Sequence, residues 1–420
     1  MLLCWAMRSR LTPGLACLAL FSAIWISFHA DVSAAARLSE QGREALTRFL
    51  EEAVSRGDVP GIVVGIVNRD GPIYLEAFGK QNVSKNIAMP KDAIFNIASM
   101  TKPLTSAGVM LLVQQEKLRI DEPVGTYLPQ YRERRVITDF KAADASYGTR
   151  ASRGPITIRH LLTHTSGIGY AFSSETVAAI QRKTGMNELD MPLLFEPGEH
   201  WAYGASTRVL GQLIEKVSGE KLDAFLTSRL LDPLGMQDTA YAVAAQNVSR
   251  VSTTHRRVNG ALAETQPAAT LTSAVAGDGG LYSTAADYGR FLQMLVNDGR
   301  LGKAKIMAPE TIRAMFRNHT GSVVVERQVT TNPALSSSFP LGAGDDTWGL
   351  GFQLYTPRTK QLNTRSPGSG TWAGIFNTHF WVDPTKRVGV VVMMQLLPFY
   401  DDKAMQVLAG VEERLYQNLK

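Results

Sequence analysis

The feature that most constrains the fold is that strand-forming segments lie at both ends of the chain, with a helix-rich stretch between them. Short β-branched runs at residues 62–67 and 73–78 are joined by a polar turn, which predicts a hairpin. Near the other end, residues 349–355, 376–382 and 388–394 have the same character and predict three more strands. Because isolated strands need partners to bury their apolar faces, we predict one antiparallel sheet built from both chain ends.

Amphipathic helices are predicted beside these strands and between them. Apolar residues at helical spacing over residues 38–55 and 402–419 predict a helix near each end. The clearest helical segments of the interior are residues 103–118, 158–163, 207–218, 222–231 and 285–297. The predicted class is therefore α/β, an α+β sandwich in which helices flank the antiparallel sheet and a mostly helical domain is inserted into it. Residues 37–100 and about 340–420 would form the sheet lobe, and residues about 101–339 the helical lobe.

Residues 1–36 have the composition of a secretory signal peptide. Arg8 and Arg10 precede an apolar run over residues 14–28, and small residues follow this run. An apolar run of about fifteen residues is shorter than the roughly twenty that a membrane-spanning helix needs. We expect cleavage after this segment, so that residues 37–420 are exported to a bacterial periplasm or the extracellular space without a stable membrane span. An uncleaved anchor helix is the alternative.

Composition and motif content argue against several classes of function. Lys and Arg number 44 against 38 Asp and Glu, and the net charge of +6 is spread along the chain, so nucleic-acid binding is not expected. Cys4 and Cys17 both lie in the predicted leader, which leaves the exported part without disulfides or a cysteine nucleophile. His160 and His164 stand four residues apart without the Glu of an H-E-x-x-H zinc motif, so capping and packing are their expected roles. No metal site is expected.

The tetrapeptide Ser99–Met100–Thr101–Lys102 is the candidate catalytic signal. A serine hydroxyl is a poor nucleophile unless a neighbouring base takes its proton. Positions three apart share one face of a helix, so the amine of Lys102 can reach the hydroxyl of Ser99. The tetrapeptide alone is weak evidence, because a chain of this length contains about one or two copies of Ser-x-x-Lys by chance. A second copy at residues 218–221 is interpreted as a turn between two helices.

Two later segments strengthen the assignment by their order along the chain. Residues 197–203 end on Tyr203, a second candidate base, and Trp372–Ala373–Gly374 stand where a C-terminal strand is about to begin. Further stretches of the same pattern lie at residues 156–167, 211–235 and 276–291. Over residues 40–400 the chain resembles the serine β-lactamase and penicillin-binding protein superfamily. Within it, the resemblance is to the class C β-lactamase-like serine hydrolases and the family VIII carboxylesterases.

This resemblance implies a β-lactamase/transpeptidase-like fold and a role for each matching residue. Ser99 would be the acylated nucleophile, Lys102 its base partner, and Tyr203 the residue that passes the proton to the leaving group. The main-chain N–H groups of Ser99 and Ile375 would form the oxyanion hole, which stabilises the negative charge of the transition state. The resemblance implies no cofactor.

Two departures from the superfamily pattern bear on the substrate. The second motif reads Tyr-Gly-Ala, with Ala205 in place of the usual Asn and Ser206 as a candidate substitute. The third motif has Trp372 in place of the usual Lys. Trp372, Ala373 and Gly374 are expected to form an apolar wall of the substrate-binding site. The lysine that this tryptophan replaces would have supplied a cation for a substrate carboxylate. Both changes favour neutral esters or amides over substrates that carry a carboxylate.

The leading hypothesis is a secreted serine hydrolase that cleaves acyl esters or amides through an acyl-enzyme on Ser99. The alternatives within the enzymes are a β-lactamase and a D-alanyl-D-alanine peptidase acting on cell-wall peptides. An alternative of a different class is a non-catalytic, penicillin-recognising sensor or scaffold, against which the presence of Ser99, Lys102 and Tyr203 together argues. The expected partner is a small-molecule ester, amide or β-lactam, and the oligomeric state is left open.

Overall fold

The computed structural model describes residues 35–266, 271–356 and 365–420, so the predicted leader lies outside the described residues except for its last two. In this part of the chain the helices are α1 (Glu40–Ser55), α2 (Thr101–Gln114), α3 (Ile158–Leu162), α4 (Glu175–Thr184), α5 (Ser206–Ser218), α6 (Leu222–Leu226), α7 (Asp232–Leu234), α8 (Ala285–Val296), α9 (Pro309–Met315) and α10 (Asp402–Asn418). Among these described helices, none has both the length and the apolar character needed to cross a membrane.

The strands of the same part of the chain are mostly short. In order they are β1 (Gly61–Val67), β2 (Pro72–Asn82), β3 (Ile87–Ala88), β4 (Phe95–Asn96), β5 (Arg135–Ile137), β6 (Thr149–Ala151), β7 (Thr254–Val258), β8 (Ala261–Gln266), β9 (Tyr282–Ser283), β10 (Arg300–Leu301), β11 (Ala304–Lys305), β12 (Thr347–Trp348), β13 (Gln353–Leu354), β14 (Gly370–Gly374), β15 (Thr378–Asp383), β16 (Val388–Met393) and β17 (Leu396–Leu397).

The main sheet joins the two ends of the chain. Its strand order is β12-β13-β14-β15-β16-β1-β2-β3, and its neighbouring strands are antiparallel. β1, from the N-terminal part, pairs with β16, from the C-terminal part, in a register that places Val63 opposite Met393. The predicted antiparallel sheet assembled from both ends, with flanking helices, is confirmed.

Strand β1 is buried along its whole length because helices cover both faces of the sheet. Ile62, Val64 and Ile66 pack with side chains of α1 and α10 on one face, whereas Val63 and Val67 belong to the larger core on the other face. The alternation follows from the two-residue period of a strand. At Gly389 on β16, a Cβ atom would lie 2.7 Å from Leu292 Cβ of α8, so glycine is required where that helix meets the sheet.

Helix α2 occupies the centre of the molecule, and its residues 101–112 are all buried. It packs against α5, and Gly108 of α2 leaves room for the side chain of Ile214. A helix buried on every side is held rigidly by close packing. The side chains at its N-terminal end are therefore fixed relative to the sheet.

Two of the predicted elements differ in kind from those that the structure describes. Residues 349–355 were expected to form one strand, but they turn at Gly351 (φ +100°) between β12 and β13. A Cβ at Gly351 would also lie 2.5 Å from Ser106 Cβ of α2, so this turn is shaped by its contact with the buried helix. Residues 222–231 form α6 followed by a π-helical turn, Thr227–Leu231, rather than one regular α-helix.

Candidate functional site

Ser99 lies in a tight turn between strand β4 and helix α2. The chain ahead of it is anchored, because β4 pairs with β9 and the N–H of Ile97 donates to the main-chain oxygen of Leu281 at 3.0 Å. Residues Ala98–Met100 then form a 3₁₀ turn that leads directly into α2. Ala98 has a φ of +42°, a left-handed conformation that is strained in a residue other than glycine. This turn presents Ser99, half-buried, at the start of the buried helix.

Lys102 lies one helical turn after Ser99 and is only 3% exposed. Its Nζ donates to Ser99 Oγ at 3.1 Å and to the main-chain oxygen of Asp278 at 2.7 Å. The same ammonium group lies 5.3 Å from the ring centroid of Tyr170 and 4.7 Å from that of Tyr203, which are cation–π distances. The amine is therefore fixed against the serine hydroxyl by one main-chain oxygen and two aromatic rings. This geometry allows it to exchange a proton with Ser99.

Tyr203 is buried in a cluster of aromatic side chains above Lys102. Its hydroxyl oxygen accepts a hydrogen bond from the indole N–H of Trp372 at 3.3 Å, and the two ring centroids are 4.8 Å apart. Because the oxygen accepts from Trp372, the hydroxyl proton of Tyr203 is free to be donated elsewhere. The sequence interpretation assigned Trp372 only an apolar wall. The structure shows that it also supplies a polar N–H to the candidate tyrosine.

The end of β14 runs against the turn that carries Ser99. Strand β13 pairs with β14 only at the first two residues of β14, whereas β15 pairs along its whole length. A Cβ at Gly374 would lie 2.3 Å from the main-chain oxygen of Ile97, so the two segments touch at this glycine. Ile375 follows directly and is half-buried. The chain segments that contain the two predicted oxyanion donors, Ser99 and Ile375, are thus brought together.

The second motif contributes less to the cleft than its position suggested. Ala205 is the N-cap residue of α5 and is fully buried. Ser206 is also fully buried, and its Oγ lies 2.8 Å from Ser166 Oγ in a hydrogen bond between the two hydroxyls. Ser206 therefore does not replace the missing asparagine, because its hydroxyl is used within the core. Ala373, in the third motif, is 7% exposed.

A charged group beside Lys102 was missed by the sequence interpretation. Arg208 Nε donates to both carboxylate oxygens of Asp278 at 3.1 Å, and the hydroxyl of Tyr170 donates to the same carboxylate. Burial acts to raise the pKa of Asp278, but the charge of Lys102 and the hydrogen bond and charge of Arg208 hold it below its usual value. Asp278 is therefore a carboxylate at neutral pH. Its signal in the sequence was the Gly-Asp-Gly-Gly within residues 276–291, to which no role had been given.

The two histidines considered as a metal pair have separate structural roles. His160 belongs to the capping box of α3, where its Nδ1 accepts from the N–H of Thr157 at 3.2 Å. His164 lies behind Tyr203, with the two ring centroids 5.1 Å apart. Burial, aided by the charge of Lys102, lowers the pKa of His164 well below its usual value, so its imidazole is neutral. Capping and packing are the roles that their sequence context predicted.

Ser99 opens onto a cleft of about 400 Å³. Other side chains or main-chain groups that line it are Asn96, Ala98, Tyr170, Arg208, Asp278 and Phe376. A serine hydroxyl, a lysine amine in contact with it and a cleft large enough for a small molecule therefore occur together, which is the arrangement that an acyl-transfer site requires. A second cavity, of about 60 Å³, does not include Ser99 and is lined in part by Phe339, His379 and Tyr400.

Comparison with known proteins agrees with this geometry. Residues 46–411 match the family model described as Beta-lactamase. The chain is 28% identical to Acyltransferase calJ of Penicillium decumbens over 372 residues, which cover 83% of this chain and 87% of that protein. It is 26% identical to Esterase EstB of Burkholderia gladioli over 389 residues, which cover 84% and 90%.

A solved structure shares the fold over almost the whole length. The LovD6 mutant of simvastatin synthase from Aspergillus terreus superimposes with a TM-score of 0.77. The alignment covers 90% of this chain and 95% of that one, at 24% sequence identity. At this identity the likeness shows the fold alone.

Proposed function

Because the chain belongs to the beta-lactamase family, we propose that it is a serine hydrolase that cleaves acyl esters through an acyl-enzyme on Ser99. The observation that carries this proposal is the contact between Lys102 Nζ and Ser99 Oγ at 3.1 Å, at the edge of an open cleft. An esterase and an acyltransferase among the relatives support chemistry on an acyl group.

The proposed reaction has two balanced steps. Ser99 Oγ attacks the ester carbonyl carbon while its proton passes to Lys102 or Tyr203, and the carbonyl oxygen becomes negative. The N–H groups of Ser99 and Ile375 stabilise that oxygen until the bond to the leaving alcohol breaks and the alcohol takes up the proton. Water then attacks the acyl-enzyme in the same way, which releases the acid and restores the serine hydroxyl.

The surroundings of Tyr203 favour esters over β-lactams. Its hydroxyl accepts from the neutral indole of Trp372 at the position where the superfamily pattern has a lysine cation. The carboxylate of a β-lactam or a cell-wall peptide would lack a charged partner at this point, whereas an uncharged ester does not need one. The guanidinium of Arg208 lines the cleft, but it is already paired with the carboxylate of Asp278.

A labelling experiment tests the proposal. The purified protein, Ser99→Ala and Ser218→Ala are each treated with a fluorophosphonate probe and with a short-chain p-nitrophenyl ester. Ser218→Ala is the matched control, because Ser218 begins the second Ser-x-x-Lys copy and its hydroxyl donates to the main-chain oxygen of Ile214. We expect labelling and turnover in the parent and in Ser218→Ala, and neither in Ser99→Ala. Equal signals in the parent and Ser99→Ala would refute the assignment.

The β-lactamase and peptidase alternatives are separated by a labelled penicillin. We expect no covalent labelling of the parent at concentrations that saturate the ester reaction. Labelling that depends on Ser99, together with slow ester turnover, would favour those alternatives over the esterase. Penicillin labelling without turnover of either substrate would favour the sensor, and labelling by neither the penicillin nor the fluorophosphonate would favour a non-catalytic scaffold.

Acyl transfer to an alcohol is a second candidate outcome of the same acyl-enzyme. It is favoured by the acyltransferase among the relatives. Adding a short alcohol during ester turnover tests it. A transferase would convert most of the acyl groups into the new ester, whereas a hydrolase would release mainly the acid.

We also propose that the enzyme acts after export, once residues 1–36 have been removed. The apolar run between basic and small residues supports this proposal. Intact mass of the protein recovered from the envelope fraction would then correspond to a chain that begins near residue 37. A full-length mass in the membrane fraction would instead indicate an uncleaved anchor.

A further inference from the structure

We propose that Asp278 is a positioning residue for the reaction, which acts through Lys102 and sets the pH range in which Ser99 can be activated. This inference deepens the proposed function and rests on it. Asp278 lines the cleft that contains Ser99 and is 6% exposed. Within the described residues, the carboxylate of Asp278 bonds to Tyr170 and Arg208 and not to Ser99, so its effect on the serine passes through Lys102.

Asp278 contacts Lys102 directly through its main-chain oxygen and indirectly through Tyr170. Its main-chain oxygen accepts the hydrogen bond from Lys102 Nζ at 2.7 Å. Its carboxylate accepts from the hydroxyl of Tyr170, and the ring of Tyr170 lies 5.3 Å from the same Nζ. A shift of Asp278 would therefore displace both the oxygen and the ring that hold the amine against Ser99.

The charge of the carboxylate adds an electrostatic effect to this positioning. Lys102 and Asp278 are both buried and close enough that the charge of Lys102 lowers the pKa of Asp278. By the same interaction, the carboxylate favours the protonated form of any basic group near it. The two candidate bases, Lys102 and Tyr203, lie against one another, with Nζ 4.7 Å from the ring centroid, so the carboxylate of Asp278 is close to the group that takes the proton of Ser99.

Several other charged or titratable groups face this centre from the elements packed around it. They are Lys102 of α2, Arg208 of α5, Tyr203 before α5, His164 after α3, and Tyr170, Glu188 and Tyr241 from neighbouring loops. Arg208 is the one that opposes Asp278 directly, since its guanidinium pairs with the carboxylate at 2.9 Å. Removing the charge of Asp278 therefore makes the site more positive, whereas removing the charge of Arg208 makes it more negative.

Because the two substitutions change the charge in opposite directions, their pH profiles distinguish an electrostatic role in the reaction from a merely structural ion pair. The rate of fluorophosphonate labelling of Ser99 is measured against pH for the parent, Asp278→Asn, Arg208→Gln and Glu310→Gln. The last is the control for charge loss, because Glu310 is exposed on α9 and pairs only with Arg313 among the ion pairs of the described chain. Active-site titration restricts each profile to folded enzyme.

We expect the acid limb of the profile to move to lower pH in Asp278→Asn by about one unit, because a nearby negative charge has been removed. The same limb should move to higher pH in Arg208→Gln, because a positive charge has been removed, and it should not move in Glu310→Gln. The maximal labelling rate of Asp278→Asn should fall at least about tenfold, as the amine is held less firmly.

The proposal is overturned if the limbs of Asp278→Asn and Arg208→Gln both lie within about 0.2 pH units of the parent, whatever their maximal rates. If Asp278→Asn does not fold, Arg208→Gln alone decides. An acid limb at higher pH than that of the parent supports the proposal, and an unchanged limb overturns it. Failure of the underlying function is recognised separately, since the parent would then show no labelling of Ser99 at any pH.

Discussion

At the scale of single residues, Lys102 is held in a setting that a lysine seldom occupies. It is buried, in contact with the hydroxyl of Ser99, and enclosed by the rings of Tyr170 and Tyr203. Burying an amine is costly unless hydrogen bonds and nearby charges compensate, and the oxygen and carboxylate of Asp278 provide this compensation. A buried lysine held by several specific contacts in this way is typical of a functional site.

Replacing this amine tests its role directly. Lys102→Met keeps a side chain of similar length but removes the proton carrier, so kcat/KM for a p-nitrophenyl ester should fall about a thousandfold. The melting temperature should change by only a few degrees. Lys117→Met, at an exposed lysine just beyond α2, is the control and should keep parental activity. Activity of Lys102→Met within tenfold of the parent would show that the lysine is not the base partner.

The indole of Trp372 has a smaller and more specific effect. Trp372→Phe keeps an aromatic ring but loses the N–H that donates to Tyr203, a hydrogen bond worth about 1 kcal/mol. We expect kcat to fall about fivefold with little change in KM. Trp348→Phe is the matched control, because its indole N–H belongs to the same aromatic cluster but donates to the main-chain oxygen of Leu162. Equal losses of kcat in both variants would assign the effect to packing.

At the scale of elements, the site depends on one strand end meeting one helical turn. The end of β14 reaches the turn before α2 because Gly374 has no side chain, and the neighbouring oxygen of Ile97 occupies the space that a Cβ would need. A helix buried on all sides and a strand fixed by β15 cannot both yield easily. The spacing of the two elements is therefore sensitive to a single methyl group.

Gly374→Ala should separate these two elements. A Cβ there would lie 2.3 Å from Ile97 O and 2.4 Å from Thr378 Oγ1, so the strand end must move away from Ser99. We expect kcat/KM to fall about a hundredfold, comparable to the loss of one oxyanion donor. Gly154→Ala has open space around the new methyl and serves as the control, with activity unchanged. Parental kcat/KM in Gly374→Ala would contradict the placement of the oxyanion hole.

The elements also show how far sequence patterns reach. The strands of β1, β2, β15 and β16 follow from β-branched runs, and the Ser99–Lys102 contact follows from helical spacing. Asp278 and Arg208 could not be paired in this way, because 70 residues separate them and no period links their positions. The turn at Gly351 was missed for a related reason, since its cause is a contact with Ser106 on a distant helix.

At the scale of the whole molecule, burial of neutral histidines makes the fold sensitive to acid. Burial is the main cause of a lowered pKa at His160, His164, His255, His319 and His379. For His379 it lowers the pKa to about 3. In the unfolded chain a histidine binds its proton below about pH 6.5, whereas the folded form stays neutral down to the lowered pKa. The free energy of unfolding should therefore decrease as the pH falls below about 6.5.

Two variants at His379 measure this contribution. Between pH 7.5 and pH 5, His379 should lower the free energy of unfolding by about 2 kcal/mol, since the unfolded chain gains a proton that the folded chain does not. Urea denaturation at both pH values should therefore show a smaller acid loss, by about that amount, in His379→Phe and His379→Gln alike. The two variants differ in packing but share the absence of a titrating ring. An acid loss equal to the parent's in both would show that His379 is protonated in the folded protein.

The central claim is that an acyl group becomes bonded to Ser99 during turnover. The most direct measurement is the intact mass of the protein quenched in acid during the reaction with a p-nitrophenyl ester, followed by peptide mapping. The account predicts a mass increase equal to one acyl group, located on the peptide that contains Ser99 and missing in Ser99→Ala. Ester turnover at an undiminished rate in Ser99→Ala, or an acyl group bonded to a different residue, would contradict it.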